Sequence, residues 1–274
     1  MAAGNARERS RTRWLDSYLD LEVGKAAKPH EEDGVPLLIY GINPVLEALR
    51  AKRVTTIRVA SRADDRLTQV MRLAEEHGVR VQRVSTDDLD RLSGGQRHQG
   101  IVGDVQDLAS YSVEDLIIGA KAPALIVVLD SIEDPHNVGA ILRSLDAAGG
   151  DGLVRQSRHA ARLDGAAAKA SAGAVSHVKI ADVVNIARAI ETLKDGGVWT
   201  VGLAGDASKR YDDIDLTVPT AIVVGAEGTG LRRLVRDRCD WLASIPMAGR
   251  VQSLNVSVAA GIALFEAVRQ RARK

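Results

Sequence analysis

From Leu37 onward the apolar residues switch repeatedly between the two-residue period of strands and the three-to-four-residue period of helices. LLIY (37–40) is strand-like, PVLEALRA (44–51) helical, TIRVA (56–60) strand-like, and DRLTQVMRLAEEHG (65–78) an amphipathic helix ending at Gly78. VRVQRV (79–84) alternates as a strand, TDDLDRLS (86–93) opens a capped helix, and GIVGDV (100–105) closes the unit. This β/α alternation predicts one small domain at 37–106. Residues 107–121 read as its connection to a second unit at 122–274. There the pattern predicts a strand at 124–131, a helix from about 137, a short strand at 152–154, and a Gly/Ala/Ser-rich turn of chain at 165–174. A strand at 177–181, a helix at 183–195 and strands at 198–204 and 220–225 follow, then a short helix at 230–237 and a strand at 241–246. In the last stretch Val256, Val258, Ala259, Ile262, Ala263, Phe265, Ala267 and Val268 recur at helical spacing, so a largely buried helix ends the chain. Element order alone suggests a doubly wound α/β sheet. Residues 1–36 are polar and charge-mixed, which predicts a flexible tail with at most a short helix at 14–23.

Composition narrows the function. With 274 residues, 45% of them hydrophobic, the chain can pack two cores. Its 37 Lys and Arg against 36 Asp and Glu give no overall basic field, so any nucleic-acid contact must come from local clusters. Candidates are Arg7, Arg9, Arg11 and Arg13 in the tail, Arg50, Lys52 and Arg53 after the first helix, and Arg91, Arg97 and His98 near the last helix of the small domain. The same residues also suit a solvated tail or the complement of helix dipoles. Aromatics are 3% of the chain, which argues against extended base stacking. The single Cys239 forms no internal disulfide, and no apolar run reaches membrane length; a soluble, cytoplasmic protein is expected.

Three polar loops follow predicted strands. PALIVVLDSIEDPHNVGAILR (123–143) and PTAIVVGAEGTGL (219–231) each run from a buried strand into a loop, and Ser253, Leu254 and Asn255 form a polar turn at the mouth of the final helix. Open α/β sheets bind ligands at such strand ends, whereas capping alone would also explain Ser253 and Asn255. GAEGTG lacks the Lys and Ser/Thr of a phosphate-binding P-loop, and GGDG at 149–152 lacks dinucleotide spacing. The histidines and lone cysteine give no zinc pattern, and no metal is expected.

Together NVGAILR (137–143), VVGAEGTGL (223–231) and IPMAGRVQSLNVSVAA (245–260) resemble the three motifs of the SpoU (TrmH-type) RNA ribose 2′-O-methyltransferases of the SPOUT superfamily. The resemblance implies a parallel sheet with helices on both faces and a trefoil knot. It also implies S-adenosylmethionine as cofactor, a homodimer with the site beside the subunit interface, and RNA as substrate. At the family's positions stand Arg143, Asn137, Glu227, Ser253 and Asn255 as catalytic residues and Gly225, Ile245 and Leu254 as cofactor contacts. Arg143 would bind phosphate and stabilise the developing alkoxide, with Asn137, six residues earlier on the same helix, expected to face the strand ends beside it. Glu227 would hold the arginine or the loop, and Ser253 and Asn255 would meet the ribose and its phosphate. His136 is expected to be a loop or packing residue. YGINPVLEAL (40–49) and HQGIVG (98–103) resemble the family's accessory RNA-binding domain, which is similar to a ribosomal protein. That domain points to the branch methylating a guanosine in the peptidyl-transferase P-loop of 23S ribosomal RNA. Thiostrepton-resistance enzymes, tRNA enzymes and a catalytically silent RNA-binding assembly protein are the alternatives. Asp146 and the Gly149–Gly150 pair depart from the family pattern near the substrate side.

Overall fold

The computed structural model describes residues 37–61, 67–106, 109–121, 123–158, 160–161, 163 and 165–273. The tail expected at 1–36, with its helix and alternating arginines, lies outside the described residues. The first unit runs β1 (Leu37–Tyr40), α1 (Ile42–Arg50), β2 (Val54–Ala60), α2 (Thr68–Glu76), β3 (Arg80–Val84), α3 (Thr86–Leu92) and β4 (Ile101–Val105). Its four-stranded sheet has the order β1-β4-β2-β3, with β4 antiparallel to both neighbours and β2 parallel to β3. Ser85 caps α3 by accepting from the Asp88 amide, which satisfies a donor the helix start leaves open.

The second unit adds β5 (Ser110–Tyr111), α4 (Val113–Ile118), β6 (Leu125–Asp130), α5 (Pro135–Ala147), β7 (Gly152–Gln156) and α6 (Gly165–Ala170). Next come β8 (Lys179–Val183), α7 (Ile186–Asp195), β9 (Trp199–Leu203), β10 (Lys209–Arg210), β11 (Thr220–Gly225), α8 (Arg233–Arg238), β12 (Trp241–Ser244) and α9 (Val256–Arg271). All eight strands are parallel, in the order β10-β12-β9-β11-β6-β7-β8-β5. Helices cover both faces, which is why β6 (LIVVLD) is buried along its whole length. Strand β11 lies between β6 and β9, neither of which is its neighbour in sequence. The sheet therefore changes direction of winding there, and loops from both directions meet at one edge of the strand ends.

Two expectations need correction. Residues 107–121 are more than a connection: Ser110–Tyr111 pair with β8, and α4, held by a Ser112/Asp115 capping box, buries Val113, Leu116 and Ile117 in the core under the sheet. The Gly/Ala/Ser-rich stretch is no simple turn, because Gly165–Ala170 form a helix and Ala174–Ser176 a 3₁₀ turn. Their small residues permit close packing: a Cβ on Gly139 of α5 would stand 2.5 Å from the Ala170 Cβ and 2.7 Å from the Ala167 carbonyl oxygen. On its other side α6 packs on β1 and α1, so one apolar cluster runs from Val45 and Leu49 through Ala167 and Ala168 to Ile141 and Leu142. The small domain is thus docked on the helix pair that carries the first motif.

The end of α9 is fixed from below. Arg271, half-buried, donates to the carbonyls of Leu216, Pro123, Ala124 and Val218 at the starts of β6 and β11. Burial pushes its pKa below the usual guanidinium value, but four carbonyls satisfy the charge. With that end anchored, the start of α9 is held at the opposite edge of the sheet.

Candidate active site

A cavity of about 920 Å³ lies beyond the C-terminal ends of β9, β11 and β12. Three loops bound it: 203–206 after β9, 225–231 after β11, and 245–255 before α9. Gly225, Ile245 and Leu254 line it together, as do Glu227, Ser253 and Asn255. A Cβ on Gly225 would overlap the Gly230 carbonyl, because the loop folds back tightly and Gly230 N–H donates to the Ala226 carbonyl at 2.8 Å.

Asn255 joins the motifs. Its Oδ1 accepts from the Ser257 amide at 2.9 Å and the Val258 amide at 3.4 Å, capping α9. Its Nδ2 donates to Asn137 Oδ1 at 2.9 Å and Glu227 Oε1 at 2.6 Å, and Asn137 Nδ2 donates to the same Glu227 oxygen at 3.3 Å. Capping and motif contact are therefore one arrangement rather than alternatives. Asp134 caps α5, with Pro135 in the first turn, so the helix begins where Asn137 can reach this network.

Arg143 is elsewhere. Six residues at about 100° each place it some 120° around α5 from Asn137, so the expectation that both face the strand ends is wrong. Asn137 is buried, whereas Arg143 is exposed, lines no part of the cavity, and forms no hydrogen bond or ion pair among the described residues. His136 is exposed too, so it is not a packing residue; its amide donates to the Asp134 carboxylate. Ser253 is exposed at the cavity rim.

Sequence reading missed two ion pairs that hold these loops. Asp130, fully buried at the end of β6, accepts from the Arg232 amide at 2.8 Å and its Nε at 2.6 Å, tying the far end of loop 225–231 to the sheet. The signal was a carboxylate ending an apolar strand, which burial without a partner would forbid. Asp206 and Arg236, both on the cavity wall, form a two-pronged pair. Cys239 is no nucleophile, since burial pushes its thiol up to about 12.

In the small domain most candidate phosphate contacts already have partners. Arg53 donates to Ser176 and the Gln106 carbonyl as a brace between domains, Arg50 pairs with Glu47, Arg91 with Asp88, and His98 with Asp90. Lys52 and Arg97 are exposed with no carboxylate partner among the described residues.

Profiles of two families match this chain: SpoU rRNA Methylase family over residues 124–265, and RNA 2'-O ribose methyltransferase substrate binding over residues 38–111. An uncharacterized tRNA/rRNA methyltransferase of Mycobacterium sp. (strain KMS) is 43% identical over 260 residues, covering 91% of this chain and 83% of that protein. The 23S rRNA (guanosine-2'-O-)-methyltransferase RlmB of Burkholderia sp. is 43% identical over 241 residues, 86% of this chain and 98% of that protein. The crystal structure of the SpoU methyltransferase AviRb from Streptomyces viridochromogenes with the cofactor AdoMet superposes with a TM-score of 0.74 at 27% identity, covering 86% of this chain and 91% of that one. With its three motif loops gathered at one set of strand ends and both family profiles matched in order, the chain belongs to the SpoU rRNA methylase family of S-adenosylmethionine-dependent RNA ribose 2′-O-methyltransferases.

Proposed function

We propose that the protein transfers a methyl group from S-adenosylmethionine to the ribose 2′-hydroxyl of a guanosine in 23S ribosomal RNA, in the peptidyl-transferase P-loop. The observation that carries the reaction is the Asn137–Asn255–Glu227 network at the mouth of the strand-end cavity. The RNA assignment rests on RlmB-named relatives that match over nearly their whole length and on the accessory domain. The cavity fits the cofactor: its volume suits a ligand of that size, and Gly225, where a Cβ would collide with Gly230, lets loop 225–231 fold back so that bare main chain walls the cradle.

S-adenosylmethionine supplies a methyl on a sulfonium whose departure leaves a neutral thioether. The chain's residues position and polarise. The main chain around Gly225, Ile245 and Leu254 holds the adenosine part, and Ser253 at the rim meets the ribose or phosphate of the RNA. Asn255 and Asn137 orient Glu227, whose second oxygen is left for the substrate side. Arg143 grips a phosphate and stabilises the developing alkoxide; a guanidinium has no lone pair with which to take the proton. Because Arg143 lies outside the cavity of its own chain, we assign it to the cavity of a second copy. Val258 and Phe265, 49% and 50% exposed, lie on one face of α9 with Ile262 between them. α9 also packs on α5, which carries Arg143, so pairing this face in a homodimer would bring Arg143 to the partner's site. Light scattering should give a dimer mass at micromolar concentration, and Phe265→Asp should give a monomer; a wild-type monomer would refute the pairing.

We further propose that residues 245–271 thread a trefoil knot, a path supported by β11 lying between β6 and β9 and by loops 225–231 and 245–255 sharing one cavity. The mixed four-stranded sheet of residues 37–105 supports the likeness to a ribosomal protein.

Gly225→Ala is expected to weaken S-adenosylmethionine binding by roughly 5- to 150-fold, since overpacking of about 1–3 kcal/mol must be relieved by opening the loop. Calorimetric titration checks it, and unchanged affinity would remove Gly225 from the cradle. For the substrate, purified protein with labelled cofactor is offered 23S ribosomal RNA and tRNA, and the modified nucleotide is mapped by mass spectrometry. The expected product is one 2′-O-methylguanosine in the P-loop. Methylation of tRNA alone, or of an adenosine, would assign the chain to another branch, and no methylation of any RNA would favour an assembly protein.

A further inference from the structure

Among the described residues that line the cavity there is one cationic side chain, Arg236, and it is committed to Asp206. Arg236 Nη1 donates to Asp206 Oδ1 at 2.8 Å and Nη2 to Oδ2 at 2.9 Å. The pair joins the loop after β9 to helix α8, and so closes the side of the cavity away from α5. Each carboxylate oxygen spends one acceptor site on the guanidinium and keeps another. Such a carboxylate, held with both oxygens in a fixed plane, presents two acceptors side by side, the geometry that a vicinal diol satisfies with two O–H donors. The other carboxylate of the lining, Glu227, is already tied by Asn137 and Asn255 at the opposite side, where the methyl must be delivered.

Resting on the methyltransferase reading above, we infer that Asp206 binds the 2′,3′-diol of the cofactor's ribose and that Arg236 positions it. Strand order supports the division. Glu227 follows β11 and Asp206 follows its neighbour β9, so a ligand with its reactive end at the Glu227 side extends along the strand ends toward Asp206. The guanidinium hydrogen bonds hold the Asp206 carboxyl below the usual carboxylate range, so it stays an acceptor across the neutral and mildly acidic range. Arg236 is correspondingly unavailable to a carboxylate of the ligand unless this pair breaks.

The test is a set of binding titrations on the full chain with S-adenosylhomocysteine, with 5′-deoxy-5′-methylthioadenosine, which keeps the diol but has no amino-acid end, and with the 2′-deoxy and 3′-deoxy forms of the latter. Asp206→Ala should lose about 10- to 100-fold in affinity for the first two ligands alike, the scale of hydrogen bonds to a charged acceptor. Removing a ribose hydroxyl should weaken binding to the wild type and make little further difference to Asp206→Ala. Arg236→Gln should lose affinity in the same pattern but less, and Arg236→Lys should recover part of it. A loss seen with S-adenosylhomocysteine and not with the methylthio ligand would overturn the inference by moving Asp206 to the amino-acid end. Equal affinities of wild type and Asp206→Ala would overturn it outright. Failure of the wild type to bind either ligand would instead overturn the cofactor reading on which it rests. Near-ultraviolet circular dichroism of the stacked Trp199–Trp241 pair, at the starts of β9 and β12, reports whether each variant keeps the fold.

Discussion

Arg143→Ala is expected to lower methyl transfer by about 100-fold or more while S-adenosylmethionine affinity and thermal stability stay close to wild type. The side chain is exposed and makes no hydrogen bond or ion pair among the described residues, so its removal leaves nothing unsatisfied within the chain. Surface changes of that kind usually fall within about 0.5 kcal/mol in stability. The strand-end cavity assigned to the cofactor is lined by other residues, so affinity should survive. Arg143→Lys should recover little, because an ammonium cannot reproduce a planar two-pronged grip on a phosphate. Steady-state kinetics beside a cofactor titration checks both variants. Near-normal turnover in the lysine variant would remove Arg143 from the reaction.

Asn255 should give the second large effect, and it separates two jobs. Asn255→Ala removes the cap of α9 and both ties to the other motifs, so about 1 kcal/mol for the cap should be lost along with most activity. Asn255→Asp keeps an acceptor for the Ser257 and Val258 amides. It sets its other oxygen, however, where Nδ2 now stands 2.6 Å from Glu227 Oε1, and two carboxylates repel at that distance. The aspartate variant should therefore retain more stability than the alanine variant yet be equally inactive at neutral pH. Circular dichroism melts and initial rates on the same preparations provide the comparison. An active aspartate variant would mean that Asn255 is a cap alone.

The strands and most helices were legible because burial on both faces writes long apolar runs such as LIVVLD and TAIVVG, and one-sided burial writes alternation. What escaped was set by tertiary contact. GAAAKA (165–170) has no apolar face by side-chain size, and it is helical because small residues let α5, α6 and the small domain approach closely. Ser110–Tyr111 is too short for a period, and its strand character comes from pairing with β8. In the site, the resemblance to the family's motifs pointed to Asn137, Glu227 and Asn255 but not to their mutual bonding, since capping and motif contact use opposite ends of one amide. For Arg143, closeness in sequence to Asn137 suggested a shared direction that the 100° step of the helix does not give. The partners of Asp130 and Asp206 were not legible because they lie 102 and 30 residues away.

In the dimer proposed above, each site is completed by two chains, with the cavity from one and Arg143 from the other. A heterodimer purified through two different tags, one chain carrying Arg143→Ala and the other Gly225→Val, tests it most directly. If Arg143 acts across the interface, one of the two sites is whole, and the heterodimer methylates RNA at about half the wild-type rate per dimer although both parent homodimers are inactive. A heterodimer as inactive as its parents would place Arg143 in the site of its own chain and contradict the account.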